Sequence, residues 1–329
     1  MSLAAYESFA DPEPSATVAF PRRRAIAQDV TMRIDPAWRA RSGDDLGGEA
    51  VRLRIVGNPY GEAVLVLGGI SAGAEVTSQD GGWWQELAGP GRVLDTDRFR
   101  IIGADLPPHG RHGPKDLCPE DFARLLRAAL REAGISRLYA FVGASFGGMI
   151  GLAFARLYPE LVGRLAVVCA GHRPSPMASA VRHVQRQIMA LTEGSNREAD
   201  GVALARQLAM TTYRCAEEFD TRFAPGSGES VVSYLEHHGR RYADTVPAAR
   251  FSTLSAAIDA HDEDPAAIGA PVTLIAADTD RLVPLSITHE LAARLPNLAR
   301  YEVIRSRYGH DAFLKESAAV GAALRGCLP

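Results

Sequence analysis

Short apolar runs alternate with helix-patterned segments along most of this chain, and that alternation narrows the available folds more than any other feature. The runs are "AVLVLGGI", "FRIIGADL", "LYAFVGA", "RLAVVCA", "PVTLIAA" and "RYEVIRS". Alternating segments from Ala25 to Ile34 and from Val51 to Val56 precede them and read as opening strands. Continuous apolar runs of this length suit strands covered on both faces. Helical patterns lie between most of them. Pro119 to Glu132, for instance, begins on a proline, sets Phe122, Leu125, Leu126, Ala129 and Leu130 on one face, and stops at Gly134. Buried strands taking turns with helices predict an α/β fold with a mostly parallel sheet flanked by helices.

The rhythm breaks between about Arg173 and Pro265. "MASAVRHVQRQIMAL", "DGVALARQLAMTTY" and "SVVSYLEHHGRRYADTV" carry helical patterns there, and no convincing strand run separates them. The expectation is a core of residues 1–173 and 266–329 with a helical lid, 174–265, inserted over the sheet's edge.

Composition excludes several classes of function. The 329 residues carry a formal net charge of -3, which offers nothing to a nucleic acid, and "PRRR" at Pro21 to Arg24 reads as a solvated strand end. No apolar run reaches the length of about 20 residues that a membrane span needs, and the N-terminus lacks the basic start and apolar stretch of a secretion signal. A soluble cytoplasmic protein is expected. Cys118, Cys169, Cys215 and Cys327 are far apart and read as reduced thiols.

One stretch carries chemistry. In "FVGASFGGMIGLAFARLYPE" a strand runs into a helix, and Gly143-x-Ser145-x-Gly147 stands at the turn. Residues without a Cβ on both sides let neighbouring backbone close around Ser145, and its hydroxyl is presented above the sheet as a nucleophile elbow. The N–H of Phe146, at the helix start, points toward any negative charge that forms there. A hydroxyl is a poor nucleophile at neutral pH, so a base and a group to orient it are required. After "PVTLIAA" come Asp278 and Asp280; after "RYEVIRS" comes His310, alone among nine histidines in standing at a suitable strand end. The loop "GGISAG" follows the third strand, where a second oxyanion donor belongs, and Gly69 is the choice. "HGRH" at His109 to His112 and the pair His237 and His238 lack the extra ligands that a metal site needs, so no metal is expected. Trp83 and Trp84 read as packing beneath the entrance.

Beyond the elbow, "GWWQELAGPGRVLDTDRF", "HVQRQIM", "MTTYRCAEEFDTRF", "VVSYLEHHG", "AAIDAHD", "DTDRLVPL" and "YGHDAFL" occur in the order found in the homoserine O-acyltransferases of the α/β-hydrolase fold, from about Val51 to Glu316. The chain resembles that family, which moves an acyl group from acetyl-CoA or succinyl-CoA to L-homoserine in methionine biosynthesis. The resemblance implies Ser145 as nucleophile, His310 as base and Asp280 as orienting acid. It also implies that Arg214 grips the amino acid's carboxylate, that Asp311 receives its ammonium group, and that the protein is a homodimer through the helical segment. "GGISAG" departs from the polar run usual in acetyl-transferring members and leans toward succinyl-CoA, with Arg250 as a candidate cation for the distal carboxylate. An esterase of the same fold and a serine O-acyltransferase are the alternatives.

Overall fold

The computed structural model describes residues 26–109 and 115–328. Pro21 to Arg24, and the part of the "HGRH" segment after His109, lie outside the described residues. Two strands, β1 (Ile26–Arg33) and β2 (Ala50–Gly57), open the chain as an antiparallel pair. Then come β3 (Glu62–Leu67), the two-residue strands β4 (Ala88–Gly89) and β5 (Leu94–Asp95), β6 (Phe99–Asp105), α1 (Pro119–Glu132), β7 (Ala140–Ala144), α2 (Phe146–Leu157) and β8 (Leu165–Val168). Five helices follow without a strand between them: α3 (Pro176–Ala190), α4 (Glu198–Tyr213), α5 (Ala216–Arg222), α6 (Val231–Ala243) and α7 (Ala248–Asp259). The sheet resumes with β9 (Val272–Ala277), α8 (Leu285–Arg294) and β10 (Leu298–Ile304), and α9 (Ala312–Lys315) and α10 (Ser317–Leu324) close the chain.

The main sheet has the order β1-β2-β6-β3-β7-β8-β9-β10, antiparallel at β1–β2–β6 and parallel from β6 to β10. Its eight strands are the eight that the apolar and alternating runs mark out. β4 and β5 pair only with each other, and two-residue strands leave no period in a sequence.

Why the central runs lack alternation is plain from their surroundings. Leu65 and Leu67 of β3 face one core with Phe141, Leu165 and Leu274, beneath α1 and α2. Val64 and Val66 face a second core with Val142, Ile275 and Trp84, closed by Val320 and Leu324 of α10. A strand buried on both faces has no polar side. α1 buries the five apolar residues expected of it and stops before Gly134, whose φ of 71° admits the turn. Trp84 is packing, 3% exposed, with its indole N–H donated to the Phe313 carbonyl. Trp83, stacked on it, donates to the Gly73 carbonyl. All four cysteines are free thiols.

Three loops at the carboxyl ends of β3, β7 and β8 interlock. Gly147 donates its N–H to the Gly68 carbonyl at 2.9 Å, and Ser145 donates to the Val168 carbonyl at 2.8 Å. A Cβ on Gly147 would strike the Leu67 carbonyl, and one on Gly143 the Gly147 carbonyl. Overpacking of this kind costs about 1–3 kcal/mol. Gly147→Ala therefore lowers the unfolding free energy by that amount, read as a lower urea midpoint with an unchanged slope. Gly269→Ala, at a position with no atom within 4 Å of the added methyl, stays within about 0.5 kcal/mol of the parent. Equal midpoints for the two variants would contradict the packing account.

Candidate active site

Ser145 joins β7 to α2 with φ 53° and ψ -121°, a conformation that a residue with a side chain resists at a cost on the order of 1–3 kcal/mol. One or two buried side chains offset that, and α2 buries Phe146, Met149, Ile150, Leu152 and Phe154. The strain is thus held by packing. Its product is a hydroxyl standing clear of the sheet.

His310 meets that hydroxyl from the loop after β10. Its Nε2 lies 2.8 Å from Ser145 Oγ, and its Nδ1 lies 2.7 Å from Asp280 Oδ2. The other oxygen of Asp280 accepts the N–H groups of Leu282 and Val283 at 2.9 Å each, so the carboxylate cannot swing away. Asp278 is used elsewhere, accepting the Ser306 N–H and so tying the end of β9 to that of β10. The choice that spacing alone left open falls on Asp280. Burial works against a charged imidazolium, but the Asp280 carboxylate outweighs it, and the pKa of His310 lies above the ordinary 6.5. Nδ1–H faces the carboxylate, which leaves Nε2 to accept the Ser145 proton.

Gly309 explains how the histidine loop sits. Its φ is 56°, and a Cβ there would strike the Tyr213 carbonyl and the Arg214 backbone at the end of α4. The loop therefore lies directly against the helical segment. Gly69 stands over the serine, where an added Cβ would be 3.7 Å from Ser145 Oγ. The N–H groups of Gly69 and Phe146 donate no hydrogen bond among the described residues, so both are available to an oxyanion.

Two cavities meet at Ser145, His310, Ile70 and Tyr213. The smaller, about 70 Å³, is lined further by Arg182, Gln185 and Ser255 from α3 and α7 among apolar neighbours. Arg182 and Arg186 both pair with Asp259, at 2.6 and 2.8 Å, which leaves that cluster one positive charge in excess. The larger, about 150 Å³, is lined further by Ser71, Trp83, Arg206 and Asp311. Trp83 thus borders the chamber as well as packing on Trp84.

Arg214 and Asp311 are brought together. Arg214 Nε donates to Asp311 Oδ2 at 2.7 Å and Nη1 to Glu218 Oε1 at 3.2 Å. Arg214 is 8% exposed, so it is no surface helix residue. Asp311 occupies the N-cap of α9 without capping it, its carboxylate being turned to Arg214 instead. Arg250 is not an exposed helix residue either: it donates to the Leu106 and Pro108 carbonyls and borders a small separate cavity behind Gly68 to Ile70. Arg182, Gln185, Arg206 and Tyr213 escaped the sequence reading. One signal for them existed, since Gln185 is a polar residue on the buried stripe of α3 with Ala178 and Met189. Among the described residues no three His, Cys, Asp or Glu side chains gather as metal ligands; His238 lies edge-on to Tyr234.

Residues 62–317 match the family model for the alpha/beta hydrolase fold. The chain is 38% identical to the homoserine O-succinyltransferase of Xanthomonas campestris pv. campestris, over 86% of this chain and 80% of that one. It is 30% identical to the homoserine O-acetyltransferase of Thermus thermophilus, over 98% and 94%. Among solved structures, the homoserine O-acetyltransferase from Bacillus anthracis aligns with a TM-score of 0.80 at 18% identity over 93% and 98% of the two chains. Esterase E22 aligns at 0.83 and 19% over 92% and 100%. At such identities the structural matches speak for the fold alone.

Nε2 accepts the serine proton only when the imidazole is neutral. Acylation of Ser145 by an activated acetate ester therefore rises with pH through a pKa above 6.5 and falls on the acid side as His310 protonates. Stopped-flow release of the alcohol measures this limb, and one centred below 6.5 would contradict the Asp280 effect. Asp280→Asn lowers the acylation rate about 10⁴-fold through loss of the tautomer and orientation.

Proposed function

This chain belongs to the homoserine O-acyltransferases of the alpha/beta hydrolase fold, and on that footing we propose that it transfers an acyl group from acyl-CoA to the hydroxyl of L-homoserine, a step of methionine biosynthesis, through an ester on Ser145. The observation that carries this reading is the hydrogen-bonded chain Asp280–His310–Ser145, set where two cavities meet and beside charges of both signs.

In the first half-reaction His310 Nε2 takes the Ser145 proton while Oγ attacks the thioester carbonyl. The N–H groups of Phe146 and Gly69 hold the oxyanion. The C–S bond then breaks, the proton passes from His310 to the leaving thiolate, and coenzyme A departs. In the second half-reaction the homoserine hydroxyl gives its proton to His310 and attacks the ester carbonyl. The C–O bond to Ser145 breaks, Oγ regains its proton, and O-acylhomoserine leaves.

The acceptor is a zwitterion, and Arg214 and Asp311 carry the two complementary charges. Without substrate they neutralise each other; an amino acid inserted between them offers a carboxylate to the arginine and an ammonium to the aspartate. For the donor we favour succinyl-CoA over acetyl-CoA. A succinyl group would carry its distal carboxylate into the smaller cavity, where Arg182 and Arg186 exceed Asp259 by one charge. Arg250 serves a different place, bracing the loop after β6. The helices at 176–259 we read as a lid and, since Leu191, Leu204 and Val232 there are exposed apolar side chains, as the seat of a homodimer. No helix among the described residues is long and apolar enough to cross a membrane; a cytoplasmic enzyme fits the use of acyl-CoA.

The purified protein offered succinyl-CoA and L-homoserine releases thiol and yields O-succinylhomoserine, read by product mass. Ser145→Ala abolishes both and no longer gains the acyl mass. Thiol release that yields only free acid would turn the reading to an esterase, and faster acylation of L-serine to a serine O-acyltransferase. Arg182→Leu lowers kcat/KM for succinyl-CoA about 10- to 100-fold, the worth of one charge-assisted hydrogen bond, and spares acetyl-CoA. An equal loss with both donors would remove Arg182 from donor selection.

A further inference from the structure

The smaller cavity is bordered by a polar side chain that the reaction as described leaves without a task. Gln185 is 5% exposed and lines this cavity together with Ser145 and His310. Its carboxamide makes no hydrogen bond among the described residues, yet it is not one of the polar atoms sealed away without a partner. The surface it keeps is the cavity's. α3 presents Ala178, Arg182 and Gln185 to this space, about one turn apart, and α7 presents Phe251, Ser255 and Ile258 to it.

The guanidinium groups beside it are largely engaged. Arg182 donates Nε to Asp259 Oδ1 at 2.8 Å and Nη2 to Ser179 Oγ at 3.3 Å, which leaves Nη1. Arg186 donates Nη1 to Ser255 Oγ at 2.9 Å. A hydroxyl whose oxygen accepts from a guanidinium still has its own proton to give, and Ser255 gives it to no group among the described residues. A space of about 70 Å³ thus has two unused neutral donors on its walls, in the field of the one positive charge by which Arg182 and Arg186 exceed Asp259. Hydrogen bonds to a charged acceptor are roughly twice as strong as neutral ones, so such donors suit a carboxylate.

We propose that Gln185 is a specificity-determining residue that binds the distal carboxylate of a dicarboxylic acyl group, donating through Nε2, with the Ser255 hydroxyl donating beside it. This deepens the reading of the donor as succinyl-CoA and rests on it. Arg182 has Nη1 left for the same carboxylate, so the charge comes from the arginines and the added direction from the two neutral groups. An acetyl group has no atom to offer them. An apolar acyl chain of succinyl length covers the amide and leaves it unpaired, a penalty that works against that donor.

The test compares succinyl-CoA with butyryl-CoA, whose acyl group has the same chain length and no carboxylate, with L-homoserine as acceptor. The readout is the ratio of their kcat/KM values, in which the fraction of folded enzyme cancels. The parent favours succinyl-CoA, and Gln185→Leu lowers the ratio about 10- to 100-fold. Gln185→Glu, which sets a carboxylate against that of the substrate, lowers it further. Ser255→Ala lowers it as well, and an unmoved ratio there removes the hydroxyl from the pair. A ratio in Gln185→Leu within about threefold of the parent overturns the assignment, as does a Gln185→Glu ratio at or above that of Gln185→Leu. A parent that acylates L-homoserine from neither donor overturns the acyltransferase reading and this inference with it. A parent that uses butyryl-CoA at least as well overturns the succinyl reading and again this inference, whereas a parent that favours succinyl-CoA and keeps its ratio in Gln185→Leu overturns only Gln185.

Discussion

A serine held at positive φ is the constraint on which this molecule turns. Left to itself the backbone of Ser145 would relax, and its hydroxyl would fall back among the atoms of β7 and α2. It is kept there because Ser145 and Gly147 are pinned by hydrogen bonds to Val168 and Gly68, and because no Cβ at 143 or 147 holds those strands apart. Two cores, one on each face of the sheet, supply the packing that outweighs the strain. The base and its carboxylate then need only reach a fixed point.

They reach it from far along the chain. Ser145 and His310 are 165 residues apart, and Asp280 and His310 are 30 apart. Parallel strands make that economical, since β7, β9 and β10 all end at the same edge and each contributes one loop. The helical segment adds a second layer of control. α4 ends against Gly309, so any displacement of that helix is felt at His310. Arg182 and Arg206, which border the two cavities, and Arg214, which holds Asp311, come from this layer, whereas Ser145, Asp280, His310 and Asp311 come from the core. The cations beside the site and the hydrogen-bonded chain Asp280–His310–Ser145 are built on different parts of the fold.

That division also explains what the sequence could and could not tell. The eight strands are legible because burial on both faces writes itself as continuous apolar runs, and Ser145, Asp280 and His310 because strand ends leave few positions for them. Arg182 and Arg206 were invisible. A charged residue on a helix reads as solvated, and only tertiary packing turns it toward the serine. α7 is similarly faint: it buries Thr253 and Ser255 along with Phe251 and Leu254, so small polar residues fill the stripe that periodicity looks for. Arg250 shows the opposite failure. Its sequence context suggested a ligand for the donor, yet its Nη1 serves two backbone carbonyls, a demand that no sequence pattern announces.

An ester on Ser145 has two fates, an amino acid or water, and water stands at roughly 55 M. Binding energy alone does not decide that contest; orientation does, because a hydroxyl held at attacking distance reacts with an effective molarity of about 10⁵ to 10⁸ M. The chamber beside Ser145 measures about 150 Å³, so water enters it unless an acceptor takes its place. Its walls offer a carboxylate at Asp311 and a cation at Arg206, charges of both signs that suit a zwitterion better than water. An acceptor held there would displace the water that competes with it, so that recognition of the substrate and protection of the intermediate would come from the same contacts.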